Sequence, residues 1–285
     1  MAAEGLTPAE VSLFWYWINE RHAIYLSRAA GNPKPWTSDG ILRSFKFTNV
    51  FRQLDRGTEW LTANVIEPHR HDPADLLFFN VAWYRMFNWT GTGALLGWRT
   101  EWDQAAVALQ LKATLAAGGQ VFTGAHIVRS AFGMPKIDSI VAVCADLYEA
   151  RADVVRIAAS EHRLQAVFER LIEVDYVGGF MGYEIVTDLR HTPLLDDAID
   201  INTWANVGPG ALRGLRRLYP GMPGKDGLQA MVGLLEQSRA GVGRHVPPLE
   251  LRDIEHSLCE FDKYCRVLFG EGKPRGVYQG EGELL

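Results

Sequence analysis

The sequence predicts an all-α protein, and three observations carry that prediction. Apolar residues recur at spacings of three and four through most of the chain, alternation with a period of two is hardly seen, and proline and glycine fall where helices start and stop. With 285 residues, 47% of them hydrophobic and 11% aromatic, the chain can bury a substantial core. Short connections, with no serine-, proline- or charge-rich linker and no internal repeat, predict one globular helical domain over residues 1–285.

The elements follow in order. Thr7-Pro8-Ala9-Glu10 sets a capping hydroxyl, a proline at the first helical position and an acid three residues after the cap, which predicts a helix over Pro8–Arg28. Leu13, Phe14, Trp17, Ile18 and Tyr25 give it an apolar face, and Gly31-Asn32-Pro33-Lys34-Pro35 stops it. A second helix is expected over Ile41–Val65. On it Asn49, Arg52 and Arg56 share one face, with Val50, Leu54 and Leu61 on another. The polar face is compatible with a solvated surface carrying an Asp55 ion pair, or with one wall of a polar cleft.

Asp72-Pro73-Ala74-Asp75 repeats the capping signature and opens a third helix to Asn88, whose Phe78, Phe79, Trp83, Tyr84 and Phe87 read as core rather than as a stacking platform. His69, His71 and Asp72 lack a matching partner spacing, so no metal site is expected there. A fourth helix is expected over Glu101–Ala117, before Gly118-Gly119, and further helices over Ser139–Ala152, Glu161–Val174 and Gly179–Asp188. Periodicity leaves the segment around Thr123-Gly124-Ala125-His126 open between helix and strand. Pro220 to Gly224 breaks the chain before a helix over Leu228–Leu235. A last long helix follows Pro247-Pro248, with a stripe of Leu251, Ile254, Leu258, Phe261, Cys265 and Leu268.

Composition limits the function classes. A formal net charge of −5 excludes a uniformly basic DNA coat protein but not a local basic face. Cys144, Cys259 and Cys265 are odd in number without C-x-x-C spacing, so neither a disulfide framework nor a zinc ribbon is expected. The first residues lack signal-peptide character and no apolar run is long enough to cross a bilayer, which predicts a soluble cytoplasmic protein without a membrane partner.

Three stretches carry the chemistry. Val207-Gly208-Pro209-Gly210-Ala211, followed by Leu212, Leu215 and Leu218, has the shape of a helix-hairpin-helix at about residues 200–218. There the amides of Gly208 and Gly210 would hold a DNA phosphate, with Arg213, Arg216 and Arg217 just beyond. The competing reading is a glycine-rich turn between core helices. Tyr183, Glu184, Thr187 and Asp188 fall within one turn of a helix. The last helix carries a second, polar stripe of Asp253, His256, Glu260 and Tyr264, with Lys263 beside it.

The blocks Phe47-Thr48-Asn49-Val50-Phe51-Arg52-x-x-Asp55-Arg56, Tyr183-Glu184 with Asp188-Leu189, Gly208-Pro209-Gly210-Ala211 and Asp253-Ile254-Glu255-His256-x-Leu258-Cys259-Glu260-Phe261-x-Lys263-Tyr264 resemble the alpha-glutamyl/putrescinyl thymine pyrophosphorylases, or amino acid:DNA transferases. They are also similar to the helical domain of phage 5-hydroxymethyluracil DNA kinases. The last block is the most specific. The resemblance implies an all-helical fold of DNA glycosylase type and a role in thymine hypermodification of phage DNA, hence the host cytoplasm.

The implied reaction joins an amine, from an amino acid such as glycine or from a polyamine, to the methylene carbon of phosphorylated 5-hydroxymethyluracil in DNA, releasing phosphate or pyrophosphate. Cations must meet the leaving group, and Arg52, Arg56 and Lys263 are the candidates. Asp188, Glu255, His256 and Glu260 are candidates for the base, with Asp55 beside the two arginines. Asn49, Tyr183, Gly208, Gly210, Arg213 and Arg217 are candidates to hold DNA or the extruded base. No cofactor or metal is called for. No G-x-x-x-x-G-K-[ST] occurs in the sequence, so nucleotide-dependent phosphorylation is not expected of it. Two alternatives are a base glycosylase, for which Asp226 follows the hairpin, and a non-catalytic DNA-binding module.

Overall fold

The structure is a computed structural model, and it describes residues 8–124, 129–274 and 276. Among these residues the chain is all-helical, and no helix is long and apolar enough to cross a membrane. The α-helices are α1 (Pro8–Ala29), α2 (Gly40–Ser44), α3 (Arg56–Leu61), α4 (Ala74–Phe87), α5 (Thr90–Leu96) and α6 (Gln104–Ala116), then α7 (Lys136–Glu161), α8 (Leu164–Leu171), α9 (Gly178–Leu189), α10 (Pro209–Leu218), α11 (Gly227–Gly241) and α12 (Leu251–Leu268). Thr7, and Ala125 with His126, lie outside the described residues.

Packing divides the chain into two compact units, residues 1–55 with 201–284, and residues 56–200. The first is built from both ends of the sequence, so no linker composition marks its borders. Its axis is α12, against which α1, α2, α10 and α11 pack. Leu251, Ile254, Leu258, Phe261 and Cys265 form the buried stripe, while Leu268 at the end is exposed. Phe14 of α1 meets Phe261 edge to face at 5.3 Å. A reciprocal capping box starts α12, in which Glu250 caps and Asp253 Oδ2 accepts the Glu250 N–H at 2.8 Å.

The second unit is centred on α4, which packs against α7 and α9. Phe78, Phe79, Trp83, Tyr84 and Phe87 are all fully buried, so the aromatic set is core. Phe79 meets the Trp102 and Tyr148 rings at 5.3 and 4.9 Å. The N-terminus of α8 is closed from a distance, because Asp200 accepts the N–H groups of Leu164 (2.7 Å) and Gln165 (3.0 Å).

Four expectations change. The helix predicted over Ile41–Val65 is broken into α2, a 3₁₀ turn at Arg52–Leu54, α3 and a π-helical turn at Thr62–Ile66, with non-helical chain between α2 and Arg52. Asn49, Arg52 and Arg56 therefore do not share a helical face. The cause is competition for the backbone. Arg21 of α1 donates to the carbonyls of Thr48 (2.9 Å) and Phe47 (3.2 Å), which a helix would use internally. Secondly, Asp72 does not cap α4, since its carboxylate bonds His69 Nδ1 at 2.7 Å. Thirdly, the fourth helix begins at Gln104 with Asp103 as its cap, and α5 precedes it. Finally, residues 190–208 form turns and extended chain, so only the second helix of the expected helix-hairpin-helix is present.

Candidate functional site

In the first unit the stretch between α2 and α3 is fixed onto α1 and α12 by side-chain hydrogen bonds. Arg21 Nη2 donates to Asn49 Oδ1 (2.8 Å), and Asn49 Nδ2 donates to the Leu54 carbonyl (2.6 Å) and to Asp55 Oδ1 (3.0 Å). The Asn49 N–H donates to the same Asp55 oxygen at 2.9 Å. Asn49, expected to read a base edge, instead ties its loop together.

Burial raises the Asp55 carboxyl above its ordinary range. His256, the Asn49 amide, Arg52 and Arg21 oppose that shift. Burial likewise lowers Arg21 to about 10, with Asp55 and Glu260 opposing and Arg28 adding to the fall. Arg52, in the 3₁₀ turn, is buried beside this group. From α12 His256 faces it, and among the described residues no hydrogen-bond partner meets the buried His256 Nε2. Arg21 Nη1, Thr48 Oγ1 and Ser257 Oγ are likewise buried and unbonded, so polar groups here outnumber the protein partners offered to them.

The neighbouring turn of α12 is more closed. Glu260 Oε2 accepts the Thr48 N–H (3.1 Å) and pairs with Lys263 Nζ (2.6 Å), which lies 4.9 Å from the centroid of the Phe47 ring. Glu260 and Lys263, nominated as base and phosphate cation, neutralise each other. Tyr264 donates to Asp39 Oδ2 at 2.8 Å, and Asp39 Oδ1 caps α2. Cys259 is exposed, and the desolvation imposed by its packing together with Glu260 and Glu255 raises its thiol, so it is not an activated nucleophile. Beside the loop, Phe51, Leu54, Pro247, Pro248, Glu250 and Arg252 line a cavity of about 190 Å³.

The glycine turn reads differently from its expectation. The Gly208 N–H already donates to the Asn206 carbonyl at 2.9 Å, and a methyl group built on Gly208 would lie 3.6 Å from a Glu255 carboxylate oxygen. A Cβ on Gly210 would stand 2.4 Å from Cys259 Sγ, and one on Gly214 2.2 Å from the Leu258 carbonyl. These two glycines, one turn apart, let α10 cross α12 at close range. Arg216 and Arg217 lie in the last turn of α10, where the helix dipole favours cations. Arg213 Nε bonds Asp262 Oδ2 and Arg217 Nη2 bonds Asp262 Oδ1, each at 3.1 Å, and Arg217 Nη1 bonds Glu271 at 2.7 Å. The anion expected beside these arginines is thus protein, a carboxylate only 1% exposed.

The remaining candidates belong to the second unit. Arg56 is exposed at the start of α3, and Tyr183 is core, 6.5 Å from the Phe168 ring. Asp188, nominated as a base, is 0% exposed and bound bidentately by Arg85, which also donates to Asn88 Oδ1 (2.8 Å) and Thr58 Oγ1 (3.2 Å). That pair joins α9 to α4. Asp226 of the glycosylase alternative is exposed in a 3₁₀ turn.

Sequence reasoning missed Arg21 and Asp39. Arg21 had a signal, since it continues the α1 stripe of Phe14, Trp17 and Ile18, where a cation has no reason to be unless something meets it.

A family model described as the helical domain of 5-hmdU DNA kinase matches residues 9–273. Among curated proteins, the 5-hmdU DNA kinase of Bacillus phage SP10 is 26% identical over 283 residues, 87% of this chain and 44% of that protein. The chain thus spans less than half the length of this relative. No solved structure matches it significantly.

Proposed function

The chain belongs to the family of the 5-hmdU DNA kinase helical domain, and on that premise we propose that it is a transferase of thymine hypermodification. It joins the amine of an amino acid or polyamine to the 5-methylene carbon of phosphorylated 5-hydroxymethyluracil in DNA. Phosphorylation is said of the phage relative, which is more than twice as long as the part matched here. The glycosylase-type fold implied by the resemblance stays with this proposal; the hairpin as its DNA handle does not.

One observation supports the reading above the others. Arg52, Asp55 and His256 converge in the first unit, with a base nitrogen left unbonded. The amine nitrogen attacks the methylene carbon, the C–N bond forms as the C–O bond to phosphate breaks, and the electron pair leaves on the phosphate or pyrophosphate oxygen. Arg52 meets that growing charge, and His256 takes the proton the amine gives up, oriented by Asp55. Glu255, at the mouth of α10, is the second base candidate.

Incubating the protein with phosphorylated 5-hydroxymethyluracil DNA and a pool of amino acids and polyamines, then weighing the released nucleosides, tests this. An adduct mass supports the reading; an unchanged nucleoside profile across the pool overturns it. Arg52→Ala and His256→Asn should each lower turnover by about a hundredfold or more, with less effect on DNA retention.

A further inference from the structure

Two surface turns of the second unit hold aromatic residues where turn geometry favours glycine or asparagine. In the turn closed by the Met134 N–H to the Ala131 carbonyl (3.1 Å), Phe132 and Gly133 both have positive φ, 52° and 68°. In the turn closed by the Val177 N–H to the Val174 carbonyl (3.1 Å), Tyr176 has φ 63°. Both positions are ones that asparagine or glycine fill at little cost. Asn88 and His162, which also have positive φ, are helix C-caps, where that conformation is common.

Burial does not offset the strain, since Phe132 is 39% and Tyr176 59% exposed. The rings meet edge to face with centroids 4.4 Å apart, so the edge of one covers a single face of the other. Phe180, in the first turn of α9, adds a third ring at 56% exposure. Arg129 is exposed three residues before Phe132, while the Lys136 ammonium lies 4.1 Å from the centroid of the Phe122 ring.

We propose that Phe132 and Tyr176 form a stacking platform for unpaired bases of DNA. A rigid ring on a turn presents a flat face at low conformational cost, and base-on-ring stacking accepts any base. Strain kept at two exposed rings fits a flat ligand that stacks, such as an unpaired base, better than it fits an aliphatic protein surface. The inference rests on the reading above only in taking DNA as the substrate.

Fluorescence anisotropy with a labelled oligothymidylate and with a duplex of the same length tests it on the full chain. Phe132→Leu and Tyr176→Leu keep apolar bulk without a stacking face, and each should weaken single-strand binding about tenfold while leaving duplex binding nearly unchanged. Tyr176→Gly should weaken it as much, while the melting temperature holds or rises by about 2 °C, because glycine relieves the left-handed strain.

Leucine variants that bind the single strand as tightly as wild type overturn the proposal. If they do so while the glycine variant alone alters the oligomeric state, the face is a protein interface and the proposal again falls. The two readings separate cleanly. Ring-dependent single-strand binding without any amine adduct sinks only the transferase, and adduct formation by ring variants with unchanged single-strand binding sinks only the platform.

Discussion

Each unit sets an arginine into packed surroundings, and the two arginines end differently. Arg85 of the second unit finds a complete set of acceptors, namely both oxygens of a fully buried Asp188, Asn88 and Thr58. Arg21 of the first finds two carbonyls and an amide oxygen but, among the described residues, keeps Nη1 unbonded, and it is bridged to Asp55 by Asn49. The closed cluster holds α4 to α9. The open one leaves donors, a basic nitrogen and a carboxylate with a raised pKa in one place, which is what a reaction needs.

Breaking the closed cluster should give the largest effect. Arg85→Ala strands a buried carboxylate and should cost about 3–5 kcal/mol, seen as a drop of roughly ten degrees or more in thermal unfolding. A loss within about 0.5 kcal/mol, the size of a neutral surface substitution, would mean that Asp188 is not held as described. Its activity per folded molecule should be unchanged.

An intermediate case lies where α10 meets α12. Asp262 is as buried as Asp188, but its partners Arg213 and Arg217 have side chains 56% and 24% exposed. Water can therefore take over those guanidinium groups when the carboxylate is removed. Asp262→Ala should cost about 1–3 kcal/mol, the range for buried polar groups losing a partner, measured by urea unfolding. A loss as large as that of Arg85→Ala would erase the distinction between sealed and open clusters. Gly214→Ala, whose Cβ would press on the Leu258 carbonyl, provides a steric control at the same crossing.

The same contrast explains what could be read from the sequence. The α1 and α12 helices were legible because their apolar stripes are local; α12 begins after Pro247-Pro248 and buries five of its six expected stripe residues. The loop around Asn49 was not, because its helix is undone by Arg21, a residue on another element. Asp188 looked reactive for a related reason. Its partner lies 103 residues away, and a lone aspartate near a tyrosine resembles a base until that partner is found. Glycines 208, 210 and 214 were visible as small residues, but whether they admit a phosphate or a helix is decided by α12, which no local pattern reveals.

The smallest expected change in stability is also the most diagnostic. Asp55 is raised above its ordinary value of 3.8 in the folded chain, so between that value and its folded pKa the folded state binds more protons than the unfolded one. Stability then falls as pH rises through that window and is level above it, the reverse of the behaviour of a carboxylate whose pKa folding depresses. Asp55→Asn removes the ionisation, and the folded amide can still accept from Asn49. It should shift stability at neutral pH by less than about 1 kcal/mol, and it should abolish the acid-side fall in unfolding midpoint relative to wild type. Turnover should drop sharply, because His256 loses the carboxylate proposed to orient it. A variant that instead lost stability like Arg85→Ala and kept its turnover would make the Asn49–Asp55 cluster a second structural pair, and the two units would no longer differ in kind.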